Sequence, residues 1–402
     1  MIGAKKLFNK MNRDFTGPKL YSESIFDYLN RSARLESKRI RNILEQWING
    51  LSSEVQDELR ARIQSRDDRQ HLGAFFELYL HELLSKSGFS AEIHPEVNNK
   101  KAHPDFRVLK DGKSLFYLEA TLVALSDKDT SAKAREKQVY DAINRMKSPN
   151  FFIGVKVHGA PTTNPPGAKM RSFLEDKLSN LDLNMVTKQW KQGDLETLPQ
   201  WNWKHNSWQI TFFPIPKKQE NRGKPGVRPI GLQIKDAGWY TSHIGIKDSI
   251  RDKASKYGEL DLPYIIAINV TDESGIDETD IINALFGEEQ ETFILYGNSI
   301  INQKPNRKPN GAWYGPCGPQ NQRVSAALIA DNLSPWSIAK VTPILWHNPW
   351  TNRPLNSDTW LLPQLFLSEN NQLVKRKGKY GNELLGLDPN WPRTYGDELH
   401  FS

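Results

Sequence analysis

The run Ser114-Leu115-Phe116-Tyr117-Leu118-Glu119-Ala120-Thr121-Leu122 is apolar and β-favouring, yet it carries a glutamate in its middle. Period-two alternation puts Tyr117, Glu119 and Thr121 on one face and Phe116, Leu118, Ala120 and Leu122 on the other. Taking an unpaired carboxylate out of water costs on the order of several kcal/mol. The fold around Glu119 must therefore supply a cation, strong donors or a proton, and a metal ion would suffice.

The run is the second arm of a hairpin spanning 105–123. His103-Pro104-Asp105-Phe106 opens the first arm, and Lys110-Asp111-Gly112-Lys113 forms the turn. The turn decides where Asp105 points. A two-residue turn at Asp111-Gly112 sets Asp105 opposite Leu118 and aims it away from Glu119. A three-residue loop, with Gly112 in the left-handed bulge position, sets it opposite Tyr117 and on the Glu119 face. The second register is the one expected here.

A helix is expected over 70–86, where Leu72, Phe76, Leu80 and Leu83 form a stripe. Glu77 falls at the edge of that stripe beside Leu84, with His81 one turn later on the same side. With a strand over 90–97, a helix over 131–147 and a strand over 151–157, residues 68–157 read as αβββαβ. A simple salt bridge from Glu119 to Arg135 or Lys133 is the plainer reading of the same acids.

Pro104-Asp105 and, fourteen residues after that aspartate, Glu119-Ala120-Thr121 within this element order resemble the PD-(D/E)XK, or restriction endonuclease-like, superfamily. The likeness covers about ninety of the 402 residues. It implies a mixed sheet flanked by helices and a catalytic set of Glu77, Asp105, Glu119 and Thr121. It also implies a Mg²⁺ or Mn²⁺ ion held by Asp105, Glu119 and the carbonyl of Ala120. The chemistry so implied is hydrolysis of a phosphodiester, with metal stabilising phosphate charge and activating water. Thr121 departs from the pattern, because it stands where the family carries a lysine and a hydroxyl bears no charge. In some members that group migrates to the helix after the strands, which points to Lys133, Arg135 or Gln138 on 131–147 and leaves the choice among them open.

Outside this core, 1–66 reads as a helical N-terminal segment, with Ile40, Ile43, Leu44 and Trp47 at helical spacing. Residues 67–181 hold the nuclease-like core and a further helix over 168–181. Residues 182–402 read as an additional α+β region for nucleic-acid binding or packing. Its expected elements are strands 208–215 and 229–235, helix 244–257, strand 262–270, helix 277–286 and a buried strand over Val324–Ala330. Its ββαβ order faintly echoes the first half, without a comparable acidic set.

The fold class expected is thus α/β. A formal net charge of +7 favours polyanionic partners. Basic groups gather at Lys217, Lys218, Arg222, Lys224 and Arg228, at Lys304, Arg307 and Lys308, and at Lys375, Arg376, Lys377 and Lys379. DNA is the partner expected, with RNA the other polynucleotide this chemistry admits. A homo-oligomer or a partner protein stays open.

The single cysteine, Cys317, excludes an internal disulfide framework and a Cys-based zinc site within one chain, and fits a reducing compartment. No stretch approaches the roughly 18 apolar residues of a membrane span, so the expected setting is the cytoplasm and no membrane. The absence of GxxxxGK[ST] disfavours an ATP-driven motor on this chain. The functional expectation is a metal-dependent endonuclease acting on DNA, by analogy in defence against foreign DNA. The alternative is an inactive nucleic-acid-binding or scaffold protein that keeps the nuclease fold.

Overall fold

The computed structural model describes the chain apart from residues 1–4, 98–101, 124–129, 194, 225–226, 236–241, 272–274, 297–298, 369–371 and 394–402. Helices α1 (Ile25–Arg31), α2 (Leu35–Asn49), α3 (Ser53–Ile63) and α4 (Asp68–Lys86) precede strands β1 (Ser90–Ile93), β2 (Phe106–Lys110) and β3 (Lys113–Val123). Next come α5 (Thr130–Asn144), β4 (Phe151–His158), α6 (Gly167–Ser179), α7 (Leu183–Lys191), β5 (Trp201–His205), β6 (Trp208–Pro216) and β7 (Ile230–Lys235). Then follow α8 (Ser242–Ala254), β8 (Tyr264–Val270), α9 (Glu278–Phe286), β9 (Glu289–Tyr296), β10 (Ser299–Arg307), β11 (Tyr314–Gly315) and β12 (Gly318–Pro319). The last are β13 (Ala326–Asp331), β14 (Ile344–His347), β15 (Gln364–Leu367), β16 (Leu373–Arg376) and α10 (Gly381–Leu385).

The chain is mixed α/β and divides into two compact units, each drawn from separated stretches. The first comprises Met1–Asn9, Glu36–Leu125 and Thr241–Thr394; the second comprises Lys10–Leu35, Ser126–Tyr240 and Tyr395–Ser402. This differs from the consecutive division at 66 and 181. The expected helix 131–147 and strand 151–157 form, as α5 and β4, but they belong to the second unit.

The first unit is built on an eight-stranded sheet in the order β1-β2-β3-β8-β13-β14-β15-β16. β1, β2 and β3 are antiparallel neighbours, and β8 then lies parallel to β3, pairing Glu119 with Ile266 and Thr121 with Ile268. The strand that continues this sheet beyond β3 is thus β8, which follows α8 and comes after the 126–240 stretch in the chain. All seven residues of β8 are buried, as a central parallel strand requires. On one face Ile246, Ile250, Ala254 and Tyr257 join Tyr117, Ile266, Ile268 and Val270 in one core. On the other face Leu122 approaches α4 at Gly73.

The second unit holds a four-stranded sheet, β5-β6-β4-β7. Val139, Ile143, Met170 and Leu174 of α5 and α6 pack with Ile153, Val155, Ile210 and Phe212 from its strands. Asp141 of α5, 3% exposed, accepts hydrogen bonds from the backbone amides of Tyr21 at 2.6 Å and Ser22 at 2.9 Å, which ties the 10–35 stretch to this unit. Among the described residues, no helix is long and apolar enough to cross a membrane.

Candidate functional site

The β2–β3 hairpin sets the site, and its register differs from the expected one. Lys110 pairs with Lys113 across a two-residue turn in which Asp111 (φ 52°) and Gly112 (φ 76°) are both left-handed. This is the mirror-image turn that Asp-Gly favours, because its twist matches that of the flanking strands. The register then shifts between Val108 and Leu109: Leu109 pairs with Ser114, but Val108 pairs with Phe116. Leu115 is therefore the extra residue of a bulge within β3. Beyond it Phe106 pairs with Leu118, so Asp105, the next residue out, comes level with Glu119 rather than Tyr117. The expected consequence holds by another route, since Asp105 and Glu119 share a face through the strand bulge and not through a three-residue loop.

Asp105 Oδ2 accepts the backbone N–H of Ala120 at 2.6 Å. Burial, followed by repulsion from Glu119 and Glu77, pushes the Asp105 carboxyl up to about 8, against the smaller opposing pulls of the Ala120 amide and the Lys253 charge. Three carboxylates converge here where little water reaches.

Glu119 is 1% exposed and fully paired. Its Oε1 accepts from Lys253 Nζ at 2.6 Å and Lys256 Nζ at 2.9 Å, and the Tyr257 hydroxyl donates to Oε2. Lys253 lies in the last turn of α8, and Lys256 and Tyr257 lie in the turn that follows it, so one short stretch brings all three to Glu119. Burial and the adjacent Glu119 charge raise the pKa of the Tyr257 hydroxyl, which keeps it a donor. Its ring meets Tyr264 edge-on at 5.9 Å.

Of Lys133, Arg135 and Gln138, expected to accompany Glu119, none is among the donors described at its carboxylate, and Arg135 donates to the Pro161 carbonyl at 3.0 Å. The lysines that do pair with Glu119 are Lys253, from the helix that precedes the parallel partner strand, and Lys256, from the turn after that helix. A signal for them exists in the sequence: Ile246, Ile250, Ala254 and Tyr257 trace a sheet-facing stripe, and Lys253 and Lys256 flank its end.

Glu77 is held at both oxygens by Arg62 of α3, at 2.6 and 2.7 Å. Thr121 is half-buried on the Glu119 face, and its hydroxyl makes no hydrogen bond among the described residues. A cavity of about 10 Å³, room for about one water, lies beside Asp105 with Glu58, Glu77, His81 and His94 around it. His94 is left-handed (φ 50°), and its amide donates to the Asp105 carbonyl at 3.0 Å. Among the described residues, no group of three or more His, Cys, Asp or Glu side chains is arranged to hold a metal ion.

Two further sequence features resolve plainly. His347 stacks on Phe366 at 4.2 Å and bonds Gln364, while Cys317 is an exposed free thiol in the β11–β12 turn. No family model, no curated protein and no solved structure matches this chain.

Proposed function

We propose that the chain is a divalent-metal-dependent nuclease of the PD-(D/E)XK type, hydrolysing phosphodiester bonds in DNA. One observation carries the reading: Asp105 and Glu119 stand level on neighbouring strands, and two lysines meet the Glu119 carboxylate there. The order α4-β1-β2-β3-α8-β8 supports it as well, being αβββαβ once the inserted stretch is set aside.

The donors fit a Mg²⁺ or Mn²⁺ ion in kind. Two carboxylates and the Ala120 carbonyl are hard oxygen donors, and burial together with the Glu119 and Glu77 charges, which lift Asp105 to about 8, is what a bound cation would offset. When bound, the ion would stabilise phosphate charge and acidify water. The chain's own part is positioning. The Ala120 amide fixes Asp105, Tyr257 fixes the second oxygen of Glu119, and Lys253 takes the role left empty by Thr121. Its ammonium sits at the acidic pair, where it orients water and offsets charge on the transferring phosphate.

A second reading has its own support. Both Glu119 oxygens already have donors and Glu77 is satisfied by Arg62, so this cluster is held together without an ion. On that reading the chain binds nucleic acid without cutting it.

One assay separates them. Linear, plasmid and single-stranded DNA are incubated with and without Mn²⁺, with the parent chain and with Asp105→Ala, Glu119→Ala and Lys253→Ala. Metal-dependent cutting that disappears in all three variants selects the nuclease. Binding of DNA without cutting by the parent chain selects the second reading.

A further inference from the structure

The charge surplus of the chain is confined to one unit. The first unit holds thirty lysines and arginines against thirty-one acids, whereas the second holds twenty-four against sixteen. The four-stranded sheet of the second unit has two unlike faces. α5 and α6 cover one. On the other, Lys156 pairs with Thr211, Lys204 with Gln209 and Asn202 with Thr211, which places these polar side chains together by alternation. Lys156 and Lys204 are exposed and make no ion pair among the described residues.

α7 closes one end of this face, where Val186 packs with Phe213 and Leu198. Beside that closure lies an open groove of about 550 Å³, with Lys156, Thr211, Gln200 and Glu196 on its wall and the exposed Leu195 and half-buried Ile234 as its apolar floor, next to the buried Phe213 and Leu198. Phe213 reaches across the neighbouring strand at Gly154, where a Cβ would stand 2.1 Å from the ring. The groove thus combines apolar side chains that reach solvent with positive charge at its wall.

We propose that this groove is a binding site for single-stranded DNA, with an unpaired base against Leu195 and Ile234 and phosphates on Lys156 and Lys204. A duplex keeps its base faces stacked and offers only phosphates, which leaves the apolar floor unused; an unpaired strand uses both. The volume is that of a pocket for one or two small planar groups. The choice of DNA rests on the nuclease reading, whereas the groove and its charge stand without it.

The test is fluorescence anisotropy of a labelled oligothymidine of about twelve nucleotides, with the full chain in EDTA so that nothing is cut. Lys156→Glu and Lys204→Glu are expected to weaken binding at least about tenfold each and to flatten its salt dependence. Both sites are exposed, and thermal melts verify that the variants fold. Glu196→Gln, which removes the one acid on the groove wall among the described residues, is expected to tighten binding, a gain that no misfolded protein shows. Charge-reversed variants that bind like the parent overturn the site. So does duplex DNA or polyglutamate competing as well as the single strand, and oligouridine competing better overturns the choice of DNA. Intact binding with no cutting in Mn²⁺ fails the nuclease reading and leaves the groove standing.

Discussion

Asp105 is the residue whose environment is least balanced. Glu119 has two ammonium groups and a phenol, and Glu77 has a guanidinium, but Asp105 receives one backbone amide while facing both other acids. Its folded pKa, about 8, lies above the unfolded value of 3.8. The stability tied to this group is therefore full below about pH 4 and is lost as the pH rises through 8. Asp105→Asn keeps an oxygen for the Ala120 amide and cannot ionise. Thermal melts should find the variant close to the parent at pH 4 and more stable by about 1–3 kcal/mol at pH 9. Equal melting points at pH 9 would sink the account of a surplus charge.

Glu119 predicts the opposite behaviour for its partners. It is buried, so removing one cation leaves part of its charge uncompensated. Lys253→Met and Lys256→Met should each cost about 1–3 kcal/mol in denaturant melts at pH 7, and the double variant more than the sum of the two, because the second loss leaves no ammonium at all. Lys253 should matter more, being the shorter contact and the less exposed of the two.

At the scale of elements, much was legible. Helix 70–86, the hairpin, strands 208–215 and 262–270 and helix 277–286 all appear within a few residues, because apolar periodicity and Asp-Gly turn chemistry are local signals. The register was legible only in its outcome. Asp111-Gly112 makes the tight turn that its two left-handed residues permit, and the compensating bulge at Leu115 has no marker in the run Lys113-Ser114-Leu115-Phe116. The bulge is what brings Asp105 onto the Glu119 face, since shifting a strand by one residue reverses every side chain on it. The turn has little tolerance at its second position. Gly112→Ala places a Cβ at φ 76°, in open space but in a disfavoured backbone conformation, and should cost about 1 kcal/mol. A denaturation midpoint unchanged in that variant would contradict the left-handed assignment.

At the scale of the whole molecule, the order of the chain conceals the order of the sheet. Consecutive elements are usually spatial neighbours, and α5–β4 has the same helix-then-strand pattern as α8–β8, so sequence alone favours the nearer pair. The parallel partner of β3 is instead β8, reached after a complete second sheet with its own helices. Two residues of the expected acidic centre, Asp105 and Glu119, come together regardless, because they share one local hairpin. The helix that brings Lys253 to Glu119 has no such local signal, because a helix's identity as crossover depends on which strand it precedes. The two topologies make opposite demands on activity. If α5 served the acidic centre, replacing Lys133, Arg135 and Gln138 together by Ala would abolish metal-dependent cutting, and Lys253→Ala would be mild. With α8 in that role, the triple variant should cut DNA within about threefold of the parent. Lys253→Ala should lose on the order of a hundredfold in kcat with little change in KM, as expected for a charge that acts mainly on the transition state. Single-turnover cleavage of a plasmid in Mn²⁺ reads both, and a triple variant that cuts no DNA would return the missing cation to the second unit.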